Sequence, residues 1–144
     1  MSQAMSFMKL SKRASLFALL SAGALVLYLA FARSDETISG YAGSGAYQLT
    51  EMLGQPVNIQ ITIVFPEEGK IVGQAPCNRY FTSQDAPLPW FNVGPIGATK
   101  MACPDLDLEQ QYFETLMQVS LAEIQGDQLL LSDETQVLLS FIRK

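Results

Sequence analysis

The stretch "VNIQITIVFPEEGKIVGQA", residues 57–75, contains two extended segments joined by a turn. Apolar side chains occupy every odd position from 57 to 65, and polar side chains alternate with them except at Val64. A period of two is typical of a strand with one buried face. "PEEGK" has the composition of a turn, and "IVGQA" that of a returning strand. The stretch therefore predicts a β-hairpin within an antiparallel sheet.

The segment that follows, residues 76–100, favours short extended pieces joined by turns. Pro87, Pro89 and Pro95 disfavour a helix here, because proline lacks the backbone N–H that a helix interior needs. Trp90 is the only tryptophan. A core or rim position is the expectation for it, and a functional stacking platform is the alternative.

The pattern changes to a helical period in "CPDLDLEQQYFETLMQV", residues 103–119. Asp105 is predicted to begin the helix by accepting orphan backbone N–H groups of the first turn. Residues 121–144 then return to strands, with turns at 125–127 and 132–134. The predicted fold is α+β: a mostly antiparallel β roll or barrel-like sheet with one packed α-helix. The apolar positions of the helical period are Leu106, Tyr112, Phe113, Leu116 and Met117.

The N-terminal region is unlike the rest of the chain. Basic residues precede a run without charge from Ala14 to Ala32, and a helix of that length is roughly as long as a bilayer core is thick. Residues 1–32 are therefore predicted to be a transmembrane signal anchor, or a signal peptide cleaved after Ala32. The basic flank keeps the N-terminus in the cytoplasm. The domain is then expected in the periplasm, held at the inner membrane by this helix or released by cleavage.

Residues 33–46, "RSDETISGYAGSGA", are rich in Gly and Ser and are predicted to be a flexible linker to a domain of residues 47–144. Beyond residue 32 the chain has six basic and fourteen acidic side chains, a net charge of −8. An acidic domain is a poor partner for a phosphate backbone, so nucleic acid binding is not expected.

The composition also limits the chemistry. The sequence contains no histidine, which excludes Ser-His-Asp and Cys-His catalysis and histidine zinc sites. Asp105, Asp107 and Glu109 lack the glycine and the ligand spacing of a calcium loop, and their place at a helix start explains them through the helix dipole. No catalytic residue, metal or cofactor is predicted, and the protein is not expected to be an enzyme.

Cys77 and Cys103 are the only cysteines. An even pair in a small exported domain favours a disulfide, which would stabilise the fold by about 3.5 kcal/mol by closing a loop of this length. Two separate buried thiols are an alternative. A reactive Cys77, with its pKa lowered by Arg79, is another.

Three segments resemble a known family: "PCNRYFTS" (76–83), "ATKMAC" (98–103) and "IQGDQLLLSDETQVLLSFI" (124–142). From about Tyr47 to Ile142 the chain is similar to the META domain of the HslJ heat-inducible envelope proteins. It departs from that pattern at Pro76, where the family often has Gly, and at Lys100, where it has Arg. The resemblance implies a β-rich roll or barrel with a packed helix, facing the periplasm, linked to heat or envelope stress and without established catalysis.

The first functional hypothesis is a non-enzymatic, membrane-tethered periplasmic module that contacts an envelope protein. A structural role for Asn78 and Thr99, at the corner where the cysteines meet, is the competing interpretation of two of its candidate residues. The other hypotheses are a thiol-disulfide redox or redox-sensing protein using Cys77 and Cys103, and a small inhibitor of an envelope hydrolase. The residues of the family motifs, and candidates for the contact, are Asn78, Arg79, Tyr80, Thr99, Lys100 and Met101.

Overall fold

A computed structural model describes residues 36–144 of the chain. The predicted signal anchor or signal peptide of residues 1–32 lies outside this range. Within the described range, no helix has both the length and the apolar character needed to cross a membrane.

One antiparallel sheet carries the fold. Its strands lie in the order β6-β5-β4-β3-β1-β9-β8-β7, with β2 paired to β1. The predicted α+β class and the antiparallel pairing are confirmed, but the sheet is open, with β6 and β7 at its edges, and does not close into a barrel. The elements are α1 (Ile38–Ala42), β1 (Ala46–Met52), β2 (Gln55–Pro56), β3 (Thr62–Val64), β4 (Gly69–Gln74), β5 (Arg79–Gln84), β6 (Gly97–Ala98), α2 (Leu106–Gln118), β7 (Leu121–Gln125), β8 (Gln128–Ser132) and β9 (Val137–Arg143).

The predicted hairpin is present, but its first strand is shorter than the sequence pattern. Strand β3 covers only Thr62–Val64 and pairs with β4 through Val64 and Val72. The preceding residues alternate in burial, and Ile61 still accepts a backbone hydrogen bond from Leu49. The alternating apolar residues thus predicted correctly which side chains face the core. They did not predict how many of these residues pair with a neighbouring strand.

The long helix is confirmed. Helix α2 buries Tyr112 and Leu116 against the sheet, while Leu106 and Met117 are exposed. The predicted role of Asp105 needs correction, because its carboxylate makes no capping hydrogen bond. Asp105 has φ −97° and ψ 20°, which is not the extended conformation from which a capping side chain reaches back to the first turn.

The predicted flexible linker also needs correction, because the folded domain begins ten residues before Tyr47, near Thr37. Helix α1 buries Ile38 and Ala42, which are four residues apart and so share one face of a helical turn. The carbonyl of Ala42 accepts hydrogen bonds from the Tyr47 hydroxyl (3.1 Å) and from Arg143 (2.7 Å). The sequence did not predict this helix, because a single helical turn among Gly and Ser residues is too short to show a helical period.

The hydrophobic core lies between the inner face of the sheet and α2. Trp90 is not part of it: 61% of its surface is exposed, and it lies at the rim, where it forms an isolated bridge with Leu121 at the start of β7. The rim position is one of the two that the sequence predicted for it. The largest fully buried side chains are Tyr47, Tyr80, Tyr112, Phe91, Phe141, Ile38, Leu49, Ile61, Ile63, Ile71, Leu116 and Leu129.

Gly73 permits a close approach within this core. A Cβ atom at this position would overlap the carbonyl oxygen of Thr62 and the ring of Tyr80. Gly97 would meet only the ring of Phe81, which is exposed and free to turn away.

We expect Gly73→Ala to lower the free energy of unfolding by about 1–3 kcal/mol, because backbone and a buried ring must shift. Gly97→Ala is the matched control and should lower the free energy of unfolding far less. Urea denaturation of the two variants measures the difference, and equal effects would mean that Gly73 is not a packing constraint.

Candidate functional site

The carboxylate of Glu109 is the centre of the polar corner between the sheet and α2. Glu109 lies in the first turns of α2 with 6% of its surface exposed. Its Oε2 accepts hydrogen bonds from the backbone N–H groups of Cys77 (2.9 Å) and Asn78 (2.8 Å), and its Oε1 accepts one from Asn78 Nδ2 (2.8 Å). Within residues 36–144 no basic side chain forms an ion pair with it. Three N–H donors therefore compensate the burial of this anion.

Asn78 extends the corner to the segment before α2. Its Oδ1 accepts hydrogen bonds from Thr99 Oγ1 (2.8 Å) and from the backbone N–H of Met101 (2.7 Å). Thr99 Oγ1 in turn accepts one from the N–H of Arg79 (3.2 Å). Asn78 is 2% exposed. The structural interpretation of Asn78 and Thr99 is therefore correct: their side chains hold the chain segments of the corner together.

The Cys77–Cys103 disulfide is confirmed and closes the same corner. The two Cα atoms are 5.8 Å apart, and Cys77 is 5% exposed. The Sγ of Cys103 also accepts a hydrogen bond from the N–H of Asp105 at 3.4 Å. The disulfide and Glu109 thus link the beginning of α2 to the turn before β5 by two independent routes.

Tyr80 lies beneath this corner and is not available for contact. Its hydroxyl donates to the carbonyl of Thr62 (3.0 Å) and is 2.7 Å from the hydroxyl of Tyr112. The two rings meet edge to face with centroids 5.7 Å apart. Burial raises the pKa of both phenols above their ordinary value.

Four of the six candidate contact residues reach the surface. Arg79, Thr99, Lys100 and Met101 are exposed, while Asn78 and Tyr80 are buried and must be removed from the contact surface. Sequence reasoning treated Glu109 only as a helix-start acid and missed its role. The sequence offered one indication, namely that Glu109 lies in the helix that follows Cys103. That position did not reveal which backbone N–H groups the carboxylate would bind.

Metal binding has no support from the geometry of the described range, where no group of three or more Cys, Asp or Glu side chains is placed to hold an ion. Asp107, one of the acids weighed for calcium, is exposed in the first turn of α2. The side chains of Glu109 and Asn78 in the corner are buried and hydrogen-bonded, and its two cysteines form a disulfide.

Solved structures place this arrangement in a recurring fold. A protein from Burkholderia xenovorans, solved by NMR, is 21% identical with a TM-score of 0.59, and the match covers 74% of this chain and 86% of that one. A DUF4847 family protein from Bacteroides vulgatus ATCC 8482, solved by crystallography, is 15% identical with a TM-score of 0.58, covering 73% and 96% respectively. At these identities the similarity concerns the fold alone.

The sequence profile of the META domain matches residues 37–144. The chain therefore belongs to the META domain family, as the cysteine-containing motifs indicated, and the match begins at Thr37, where the structure places the start of the domain. A comparison with curated proteins finds no match.

Glu109→Gln should destabilise the protein by about 2–4 kcal/mol, because an amide has one acceptor oxygen and would direct its NH₂ group toward N–H donors that lose their partner. Asp107→Asn is the matched control, since it removes an exposed carboxylate from the same helix start. Chemical denaturation at neutral pH measures both variants. A cost for Glu109→Gln as small as that for the control would contradict the central role of this carboxylate.

The buried phenols predict alkaline instability. Because their pKa values are raised in the folded protein, the unfolded chain releases phenolic protons first, and the free energy of unfolding falls as the pH rises above about 10. Tyr112→Phe should cost about 1 kcal/mol at neutral pH through a lost hydrogen bond, yet make the alkaline decline shallower. Urea denaturation at pH about 7 and about 11 separates the two effects, and an unchanged decline would exclude Tyr112 as a cause.

Proposed function

We propose that this protein is a non-enzymatic META module, tethered to the inner membrane by its N-terminal segment, that supports tolerance of heat or envelope stress by contacting another component of the envelope. Membership in the META domain family supports an association with stress and the envelope. The predicted export of the acidic domain, from the sequence of residues 1–32, supports the location.

The observation that carries the contact is a pair of exposed cations on an acidic domain. Among residues 36–144 there are five basic and thirteen acidic side chains. Lys70 pairs with Glu67, and Arg143 pairs with Asp127. Arg79, Lys100 and Lys144 have no such partner within the described part of the chain. Arg79 and Lys100 differ from Lys144 in that both adjoin Thr99 at the polar corner, where Thr99 is hydrogen-bonded to Arg79 and Lys100 follows it in the chain.

The corner beneath these cations holds them in a fixed frame. The N–H of Arg79 donates to Thr99 Oγ1, and its carbonyl accepts from the N–H of Thr99 at 3.0 Å. Lys100 lies between Thr99 and Met101, both of which are bound to Asn78. A rigid frame reduces the conformational entropy that a contact must overcome, so the pair is well suited to recognition.

The same geometry argues against the redox alternative. Exchange requires a thiolate to reach a disulfide sulfur; Cys77 is buried beside the Glu109 hydrogen bonds, and Cys103 is half-buried. A structural disulfide agrees better with this position.

The proposal predicts that Arg79→Ala with Lys100→Ala abolishes the stress tolerance that the wild-type protein restores to a strain lacking it. Lys70→Ala with Lys144→Ala is the matched control, since it removes the same charge from other exposed positions and should preserve tolerance. Survival under heat and envelope stress is compared at equal protein abundance in the membrane and periplasmic fractions. Full tolerance in the Arg79 and Lys100 variant would refute this contact surface.

A further inference from the structure

An apolar strip crosses the outer face of the sheet beside Arg79. The residues of the strip are Val64, Val72 and Phe81, which pair across β3, β4 and β5. Their neighbours Ile63, Ile71 and Tyr80 face the core, so the strip points away from it. Val72 is 39% and Phe81 is 63% exposed. A contiguous apolar surface of this kind, left open on a small domain, is a feature of binding sites.

Gly97 leaves space for the ring of Phe81 beside this surface. A side chain at this position would overlap the tip of the Phe81 ring, and Gly97 pairs with Phe81 in the sheet. The glycine therefore lets the phenyl ring lie across the edge strand β6. The strip and the ring form a groove with a volume of about 560 Å³, which is within the usual range for small-molecule sites.

The groove ends at a cation. Its lining continues from the strip to Gln74, Arg79 and Thr99. Gln74 and Arg79 are register partners two residues along from Val72 and Phe81, so they belong to the same outer face. Within residues 36–144, no acidic residue lines the groove, and the Arg79 side chain makes no hydrogen bond or ion pair.

From this arrangement we propose that the groove binds a small carboxylate amphiphile, with its apolar chain on Val64, Val72 and Phe81 and its carboxylate on Arg79. The planar guanidinium donates two parallel hydrogen bonds that match a carboxylate. A cationic ligand would be repelled by Arg79, which is the charged residue of the groove lining, and a ligand without charge would leave the guanidinium unmatched. This inference rests on the proposed function and names the chemistry of its contact surface.

Photolabelling tests the proposal with the full chain in phosphatidylcholine vesicles. The probe is a decanoate with a diazirine in its chain, and the labelled residues are located by mass spectrometry. We expect labels on the strip, competed by unmodified decanoate, and about tenfold less labelling in Arg79→Gln, as for one lost charge-assisted contact. Lys144→Gln removes a cation that does not line the groove and should label as wild type does.

A second probe with the same chain and a trimethylammonium head should not label the strip. Equal labelling by this probe, labels outside the groove only, or full labelling of Arg79→Gln would overturn the proposal. Binding of the protein to anionic vesicles that depends on Arg79, without decanoate labelling, would overturn it in favour of a membrane surface. The stress assay is independent of the labelling. A labelled groove together with full tolerance in the variant that lacks Arg79 and Lys100 would refute the proposed function. An unlabelled groove together with lost tolerance in that variant would refute only the proposed ligand.

Discussion

The buried carboxylate of Glu109 is the interaction on which the rest of the domain depends. A charge removed from water must be matched, and here the match is three N–H groups, two from the backbone of Cys77 and Asn78 and one from the Asn78 side chain. Those donors converge only when α2 lies against the turn before β5. The carboxylate therefore fixes where the helix begins on the sheet, and the disulfide from Cys103 fixes the same junction covalently.

The alternation of side chains from Asn78 into β5 then separates structural residues from surface residues within a short segment. Asn78 and Tyr80 are buried and bind their neighbours, while Arg79 and Phe81 face outward. Residues 78–81 are thus consecutive in the sequence, but their side chains lie alternately on the two faces of the sheet. The inward residues determine the geometry, and the outward residues determine what the surface presents to other molecules.

Much of this fold is predictable from the sequence because it depends on local patterns. The period of two before Phe65 and the helical period of residues 106–118 gave the hairpin and α2, and the even cysteine count favoured the disulfide. The position of helix α1 was not predictable, because two apolar residues among Gly and Ser carry no period. Nor was the role of Glu109, because its partners are about thirty residues away in the chain and a carboxylate at a helix start has a simpler local explanation. The exposed members of the six candidate contact residues could be distinguished from the buried ones only in the structure, where Asn78 and Tyr80 are buried.

The placement of β1 has a consequence for how the domain carries tension. Strand β1 is the first of the sheet in the chain, yet it lies in the interior of the sheet between β3 and β9. At its beginning, Ala46 accepts a hydrogen bond from Lys144, and Tyr47 is opposite Arg143, whose guanidinium also binds the carbonyl of Ala42. A force that pulls on residue 36 first meets the backbone hydrogen bond from Leu88 to Glu36 and the hydrogen bond from Arg143 to Ala42, and then reaches a strand that is paired on both sides. An interior strand has no free edge from which its hydrogen bonds can open one at a time, so the point where the chain enters the sheet is held by two neighbouring strands.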